Sequence, residues 1–323
     1  MDSTRRVDMS SLLVTGANGF VGRALCDEAV ARGFKVKGAT RTACHFDSGA
    51  ENIIVGAIDG ATDWTSALNG INVVIHLAAR VHVMRDRAVD PLAEFRRVNT
   101  AGTEHLARSA AAAGVKRLVY VSSIKVNGES THGEERFTEQ DVPAPQDAYA
   151  ISKWEAEQAL HNVAAETGLE IVIVRPPLIY GPGVKGNFLR LLQVVEKGIP
   201  LPFARVRNTR SMLYVGNLSD ILLCCATHPV AAGKTYLVRD GEDISTPYLV
   251  QLVSDGMGKR AGLFPLPMRL LRALATVTGQ HAAFERIMGS LRINDEHIRR
   301  ELGWQPPFSL QQGVQMTIGW YRE

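Results

Sequence analysis

The segment LLVTGANGFVG, residues 12–22, leads from a short apolar run into a helix through a glycine-rich turn. Glycine allows the backbone to turn tightly and to approach a pyrophosphate, and the N-terminus of the next helix offers free N–H groups and a favourable dipole. A plain strand-to-helix turn would also tolerate glycines, but the GxxGxxG spacing after the first strand favours a dinucleotide site. The cofactor contacts predicted here are Gly16, Asn18, Gly19, Phe20, Val21 and Gly22.

Outward from this turn, apolar runs of strand length alternate with helical stretches. Because the runs lack polar alternation, they predict strands of a parallel sheet that is covered on both faces. The fold class expected is α/β, a Rossmann-type doubly wound parallel sheet with a smaller α/β C-terminal substrate-binding portion. Predicted strands cover 12–15, 35–39, 52–58, 73–79, 117–122 and 170–175, and predicted helices cover 20–32, 92–113 and 149–166.

The domain limits follow from a change of rhythm near residue 176, where Pro and Gly cluster. We expect a disordered extension at 1–10, an NAD(P)-binding Rossmann domain at 11–180 and a smaller substrate-binding portion at 181–323, to which the family resemblance described below assigns a nucleotide sugar. Some later segments, such as 234–238, could return to the main sheet.

Composition excludes several classes of protein. The chain has 323 residues, 46% hydrophobic and 21% charged, as in an ordinary soluble globular protein, and its net charge of +3 argues against nucleic-acid binding. Four cysteines without a CxxC pair favour a reduced, cytoplasmic setting, and the histidines lack metal-site spacing, so no metal is expected. No apolar run predicts an integral membrane segment. The amphipathic run at 265–277 could be core, a substrate lid or a membrane-surface helix, of which core or lid is favoured.

The end of the second predicted strand bears on cofactor choice. An NAD site usually carries an acidic residue there to bind the ribose 2′-hydroxyl, but this chain has Thr40-Arg41. Arg41 could hold a 2′-phosphate, so NADP is favoured over NAD, unless Arg41 is only a solvated loop charge. Asp59, after the third strand, could accept from the adenine amino group or cap the next turn.

Tyr149 and Lys153 stand four residues apart, which places them on one face of a helix. A phenol is a poor acid or base at neutral pH, and a nearby ammonium favours the phenolate and lowers its pKa. Ser122 and Ser123, at the end of the preceding strand, can donate a hydrogen bond to a substrate oxygen. A Tyr–Lys pair on a helix surface is common, but with the glycine turn and the serines it indicates a catalytic site.

Seven motifs in order from Leu12 to Trp320 resemble those of the extended short-chain dehydrogenase/reductases of the NAD-dependent epimerase/dehydratase kind. They are VTGANGFVG, VIHLAA at 74–79, VNTAGT at 98–103, VSSIKVNG at 121–128, YAISK at 149–153, RPPLIYGPG at 175–183 and RELGWQP at 300–306. The resemblance implies a bound NAD(P), a nucleotide-sugar substrate and a homodimer through a four-helix bundle built from 92–113 and 149–166. It also places Ser123 at the catalytic position, and its implied cofactor contacts include Leu77, Ala78, Ala79, Asn99, Tyr149, Lys153 and Pro176.

The same resemblance argues against one branch of chemistry. The 4,6-dehydratases of this family carry Asp-Glu directly after the catalytic hydroxyl residue, whereas this chain has Ile124 and Lys125. Neither residue can remove a proton from C5 as a carboxylate does. The resemblance therefore implies oxidation and reduction at one carbinol, with C4 favoured.

For the substrate, the resemblance suggests Asn187 and Arg210 as contacts to the nucleotide phosphates. Asn187 could instead cap a helix, and Arg292 is a second phosphate candidate because arginine forks match phosphate oxygens. Arg205 and Arg207 fit solvated loop or rim charges better.

These residues predict a cytoplasmic reductase of a UDP-linked 4-keto-6-deoxy (N-acetylamino) hexose, similar to the 4-ketoreductases of bacterial O-antigen and exopolysaccharide synthesis. Tyr149 would donate the proton, Ser123 would bind the same oxygen, and Lys153 would lower the tyrosine pKa and hold the cofactor ribose. The alternative is a UDP-sugar 4-epimerase that retains NAD. A remote alternative is a non-catalytic NADP-sensing protein.

Overall fold

The computed structural model describes residues 10–81, 90–267, 269–270, 276 and 288–323. The predicted extension at 1–10 lies outside the described residues except for Ser10, and much of the amphipathic run at 265–277 lies outside them as well.

Seven described strands form one parallel sheet in the order β3-β2-β1-β4-β5-β6-β9, and three more form a second sheet in the order β10-β8-β7. The first sheet confirms the predicted Rossmann-type fold class. The strands are β1 (Ser11–Thr15), β2 (Lys35–Thr40), β3 (Glu51–Ile54), β4 (Val73–His76), β5 (Arg117–Val121), β6 (Glu170–Arg175), β7 (Leu178–Tyr180), β8 (Arg210–Tyr214), β9 (Thr235–Leu237) and β10 (Asp243–Ile244).

Helices cover both faces of the main sheet, with α1 and α7 on one face and α4 and α5 on the other. The described α-helices are α1 (Phe20–Ala31), α2 (Thr65–Leu68), α3 (Pro91–Phe95), α4 (Gly102–Ala112), α5 (Ala148–Thr167), α6 (Gly186–Glu196), α7 (Val215–Thr227), α8 (Thr246–Gly256), α9 (Glu296–Leu302) and α10 (Leu310–Arg322). A π-helical segment, Arg96–Ala101, joins α3 to α4, so the single helix predicted over 92–113 is interrupted.

The core explains why the strands lack polar alternation. Leu12 and Val14 of β1 pack under α1 and α7, and Leu13 packs under α4 and α5, all with no exposed surface. Both faces of β1 are therefore apolar, as predicted for a strand in the middle of a parallel sheet.

Two predicted strands end earlier than their apolar runs. β3 ends at Ile54 rather than residue 58, and β4 ends at His76 rather than residue 79. After His76 the main-chain N–H groups of Leu77 and Ala78 donate to the Thr15 hydroxyl, both at 3.2 Å, instead of continuing the ladder. This turns the chain into a loop at the carboxyl ends of β1 and β4, where the strand order reverses and α/β sheets bind ligands.

The chain after residue 180 builds a smaller core around β7, β8, α6, α8 and α10. Asp240, 5% exposed, ties it together by accepting from the Tyr180 hydroxyl, the Tyr214 N–H and the Asn217 amide, all at 2.8 Å. The prediction that 234–238 returns to the main sheet is confirmed, because β9 pairs in parallel with β6.

Among the described residues, no helix has the length and apolar character needed to cross a bilayer.

Candidate active site

The glycine turn lets α1 approach β1 more closely than any side chain would allow. A Cβ on Gly22 would lie 2.2 Å from the Gly16 carbonyl oxygen and 2.7 Å from the Ala17 Cα, so glycine is required there. Gly16 has a φ of +67° and faces Ala78, whose Cα and N would be 3.0 Å from an added Cβ. No side chain caps α1, and its first turn carries no acidic residue, so the first N–H groups remain available to an anion.

A cavity of about 870 Å³ opens at this turn. Many of the predicted cofactor contacts line it, namely Gly16, Asn18, Gly19, Phe20, Val21, Gly22, Arg41, Leu77, Ala78 and Ala79. The sequence analysis missed Ala39, Thr40, Ala57, Ile58, Arg80, Val81, Arg97 and Val98. Arg80 and Val81 could have been found because they directly follow the VIHLAA motif, whereas Arg97 lies in the π-helical segment, which the sequence did not reveal.

The charged groups in the described lining of the cavity are the arginines Arg41, Arg80 and Arg97, with no carboxylate among them. Arg97 is partly neutralised by Glu94 at 3.0 Å and Asp59 at 3.3 Å. The wall near the end of β2 therefore offers a cation where an NAD site usually offers an acid.

Asp59 and Asn99 are absent from the described lining of the cavity and are engaged within the chain. Asp59 accepts from the Ala61 N–H at 2.9 Å, so it caps its own turn, one of the two alternatives that the sequence left open. Asn99 accepts from the Arg80 N–H at 2.7 Å and donates to the Arg80 carbonyl and the Ser152 hydroxyl, both at 3.0 Å. Its side chain thus fixes the Arg80 backbone against α5.

A buried histidine fixes the other side of this loop. The Thr15 hydroxyl accepts from the loop N–H groups, so its own hydrogen is directed to His76 Nδ1 at 2.6 Å. His76 Nε2 lies 2.9 Å from the Thr103 hydroxyl and its ring stacks on Tyr120. Complete burial, with a smaller effect of Lys153, lowers the pKa of His76 from 6.5 to about 3, so the ring is neutral.

This burial makes stability depend on pH. Below pH 6.5 the unfolded chain protonates His76 and the folded chain does not until about pH 3, so stability falls with pH across that window. We expect a cost of about 2 kcal/mol at pH 5 relative to neutral pH. Urea unfolding of wild type and His76→Gln from pH 7 to pH 5 measures it. His76→Gln should show the shallower slope, and the exposed control His45→Gln should match wild type; parallel slopes for all three would refute the assignment.

A side-chain hydrogen bond joins Ser123 to Tyr149, two of the three predicted catalytic residues. Ser123 follows β5 and also accepts from the Lys125 N–H at 3.2 Å, which fixes its rotamer. Tyr149 is the second residue of α5, whose N-cap Asp147 accepts from the Ala150 N–H at 2.8 Å. Lys125, two residues after Ser123, pairs with that same aspartate at 2.7 Å and so links the end of β5 to the start of α5.

Lys153 lies one turn further along α5 and is almost fully buried. Its Nζ donates to the Val121 carbonyl at 2.7 Å and lies 4.1 Å from the centre of the Tyr120 ring. Burial lowers the pKa of Lys153 to about 7, although Glu157 acts to raise it. The Lys153 side chain can therefore gain or lose a proton near neutral pH.

The surroundings of Tyr149 set its pKa. Burial raises the pKa to about 12, the hydrogen bond from Ser123 opposes this rise and the charge of Asp147 adds to it. The residues of the chain thus keep Tyr149 as a protonated phenol.

The two arginines among the predicted substrate residues are bonded within the chain, whereas Asn187 is exposed. Arg210 begins β8 and donates to the Gly289 carbonyl at 2.9 Å, while burial lowers its pKa. Arg292 lies on the segment bridged to Arg210 through Leu291, and pairs with Glu134 at 2.8 Å and with Asp243 at 3.6 Å. Asn187 is exposed in the first turn of α6, but the N-cap is Lys185, so the alternative reading of Asn187 as a helix cap is wrong.

Two further findings complete the geometry. Pro176 lies between β6 and β7, outside the described lining of the cavity, and its carbonyl accepts from the Ile124 N–H at 3.0 Å. Within the described part of the chain, no group of three His, Cys, Asp or Glu side chains could hold a metal ion.

Comparison with known proteins finds a matching family and similar sequences and structures. A sequence model of the NAD dependent epimerase/dehydratase family matches residues 12–238. A UDP-glucose 4-epimerase of Vibrio cholerae is 41% identical over 95% of this chain and 94% of its own length. The N-acetyl-alpha-D-glucosaminyl-diphospho-ditrans,octacis-undecaprenol 4-epimerase of Escherichia coli O157:H7 is 28% identical over 95% of this chain and 94% of its own. The crystal structure of a Thermus thermophilus UDP-glucose 4-epimerase with NAD superimposes with a TM-score of 0.76, at 23% identity, over 97% of this chain and 99% of the other.

Proposed function

Since the chain belongs to the NAD dependent epimerase/dehydratase family, we propose that its Ser123–Tyr149–Lys153 site oxidises or reduces C4 of a UDP-linked hexose. The observation that carries the proposal is the Ser123–Tyr149 hydrogen bond at the carboxyl end of β5, where the buried Lys153 ammonium donates to the Val121 carbonyl. β5 neighbours β4, one of the two strands that border the glycine turn. The 41% identical 4-epimerase supports both C4 and UDP.

The residues of the cavity fit a dinucleotide. Gly16 and Gly22 leave no space for a Cβ where the backbone must come close, and the uncapped start of α1 suits a pyrophosphate. Asn18, Phe20, Leu77 and Ala79 would form the walls. When bound, the dinucleotide supplies hydride transfer, and the protein supplies orientation and proton transfer.

Each side chain of the site has a role that follows from its contacts. Tyr149, held as a protonated phenol with a pKa of about 12, donates a proton to the sugar oxygen during reduction. Ser123, whose position is fixed by the Lys125 N–H, donates a hydrogen bond to the same sugar oxygen and shields it from water. Lys153 provides a positive charge, and its pKa of about 7 makes that charge sensitive to any anion brought nearby.

Net reduction of a UDP-4-keto-6-deoxy (N-acetylamino) hexose is the first candidate reaction. Arg41 favours it, because a cation at the end of β2 suits the 2′-phosphate of NADPH, and a reductase must take up a reduced cofactor in each cycle. Ile124, 3% exposed, and the ion-paired Lys125 stand where dehydratases of the family carry their acids, which leaves no carboxylate there for water elimination.

The second candidate is 4-epimerisation with retained NAD. The Vibrio cholerae relative favours it, since that protein carries the name UDP-glucose 4-epimerase and is similar over nearly the full length of both chains. The same three side chains would then serve oxidation and re-reduction in turn.

One assay separates the candidates. The purified protein is incubated with a UDP-4-keto-6-deoxy hexose and NADPH or NADH, and with UDP-hexoses alone, while nicotinamide absorbance and products are followed. A reductase consumes the cofactor in proportion to the sugar. An epimerase interconverts UDP-hexoses without net consumption. If neither occurs with any UDP-sugar, the proposed function is wrong and a sensing role gains support.

Arg41 gives a prediction about cofactor choice. Arg41→Ala should raise the KM for NADPH about 10- to 100-fold, the value of one or two hydrogen bonds to a charged group, and leave the KM for NADH nearly unchanged. Steady-state kinetics with both cofactors measure this. Arg23→Ala is the matched control, because Arg23 is a nearby exposed arginine that contacts Cys44. Equal effects of Arg41→Ala on both cofactors would show that Arg41 does not bind a 2′-phosphate.

The remaining interactions are part of the same proposal. Arg210 would bind the substrate diphosphate together with Asn187 and Arg292, although Arg292 would first have to release Glu134. The helices predicted to form a homodimer pack together within the chain, through Arg96–Glu155 at 2.5 Å and Arg108–Glu166 at 2.6 Å, and a second copy would complete the proposed four-helix bundle. A cytoplasmic location stays a prediction.

A further inference from the structure

One surface of the C-terminal portion concentrates positive charge. It consists of residues 197–207 and 256–270, which we term the basic face. The whole chain is nearly balanced, with 36 Lys and Arg against 33 Asp and Glu, but these two segments contain no acidic residue. Their cations are Lys197, Arg205, Arg207, Lys259, Arg260 and Arg269, and each of them is exposed.

The two segments form one continuous surface. The Leu201 N–H donates to the Gly262 carbonyl at 2.8 Å, and the Phe264 N–H donates back to the Leu201 carbonyl at 3.0 Å. Lys259 Nζ adds a hydrogen bond to the Glu196 carbonyl at 2.7 Å. Two acids border the face: Glu196 accepts from the Tyr321 hydroxyl at 2.5 Å, and Asp255 accepts from the Gln251 amide at 2.9 Å.

Large apolar side chains stand out from the same surface. Ile199 is 48% exposed, Phe264 is 41% exposed and Leu270 is 53% exposed. Beneath them, Leu201 and Leu263 pack against the C-terminal core, so the face has a firm base. Single exposed apolar residues are ordinary, but exposed aliphatic and aromatic side chains on two hydrogen-bonded segments that carry six exposed cations and no acid are an arrangement that marks an interaction site.

We propose that the basic face docks the protein on an anionic lipid surface. Cations near such a surface are attracted to acidic headgroups, and the apolar side chains can enter the boundary between headgroups and acyl chains. A nucleic acid would bind the cations through its phosphates, but it would give the apolar side chains of Ile199 and Leu270 little apolar surface to contact. An anionic lipid surface provides partners for both the cations and the apolar side chains.

Flotation with lipid vesicles tests this without substrate or cofactor, so its outcome is independent of the proposed reaction. The protein should float with vesicles of phosphatidylcholine and phosphatidylglycerol, should release at high salt, and should stay unbound with phosphatidylcholine alone. Lys197→Glu/Arg260→Glu should weaken binding at least about 25-fold, since each cation contributes about fivefold. Phe264→Ser should also weaken it, with the salt dependence retained.

Matched variants control for net charge and for lost apolar surface. Lys35→Glu/Arg300→Glu makes the same charge change elsewhere, and Val142→Ser removes a side chain that is 85% exposed. Both should bind as wild type does, and circular dichroism should show all variants folded. Absence of vesicle binding, equal binding to neutral vesicles, or equal loss in the charge control would overturn the proposal. Binding to a random oligonucleotide but not to vesicles would assign the face to nucleic acid instead.

Discussion

Tyr149→Phe should reduce turnover roughly 10²–10⁴-fold, the usual contribution of a positioned acid. The substitution removes the hydroxyl that bonds to Ser123 and leaves the ring, whose edge-on contact with Phe95 at 6.2 Å between ring centres holds α5 against α3. The fold and the cavity should therefore survive, and the loss should appear in kcat rather than in cofactor affinity. Steady-state kinetics together with a cofactor-binding titration would measure the two separately.

A suitable control is Tyr248→Phe, because Tyr248 is a tyrosine in α8 that is 56% exposed. It should keep the wild-type rate. If Tyr149→Phe also kept it, Tyr149 would not be the proton donor. If the variant lost cofactor binding in parallel with rate, the tyrosine would be a binding residue instead.

Glu157→Gln should destabilise the fold by about 3–5 kcal/mol, because it leaves a buried guanidinium without its counter-charge. Glu157 is fully buried and pairs with Arg175 at 2.5 Å, while Arg175 also donates to Asn127 at 3.0 Å. Glu157 is in addition the group that raises the pKa of Lys153. As the pH is raised, the variant should therefore lose activity at a lower pH than wild type does, because its Lys153 gives up its proton at a lower pH.

Urea unfolding measures the first effect and a pH–rate profile the second. Glu166→Gln is the matched control, since it breaks the Arg108–Glu166 pair of 2.6 Å on the surface of the same helix. Exposed pairs contribute about 0–1 kcal/mol, so this control should be nearly neutral. Similar stabilities for the two variants would mean that the buried pair adds little to the fold.

The fold could be predicted largely because its buried strands are visible in the sequence as continuous apolar runs. β1 and β4 are buried on both faces; β1 leads into the glycine turn and β4 begins at the predicted residue and ends within the VIHLAA motif. Strand ends were less predictable. β4 ends where the N–H groups of Leu77 and Ala78 donate to the hydroxyl of Thr15, which lies 62 to 63 residues earlier in the sequence. The π-helical segment likewise depends on packing that no local pattern of residue types records.

The site divides in the same way. Ser123 and Tyr149 could be paired from motifs, because strand ends and helix starts bring them together in this architecture. The chemistry of Lys153 could not, since its lowered pKa comes from burial and its contact with Val121 comes from tertiary structure. Asn99 could be located from its motif, yet only the packed structure shows that its amide is used by Arg80 and Ser152.

The central claim is that this site transfers hydride to C4 of a UDP-linked hexose, with Tyr149 as the proton donor. The most direct measurement loads the protein with reduced nicotinamide cofactor that carries deuterium at both C4 positions, adds a UDP-4-keto-6-deoxy hexose and locates the label by mass spectrometry and NMR. We predict deuterium at sugar C4 and none at C5 or C6, with transfer slowed roughly 10²–10⁴-fold in Tyr149→Phe. A sugar product without deuterium, or with deuterium at another carbon, would contradict the account.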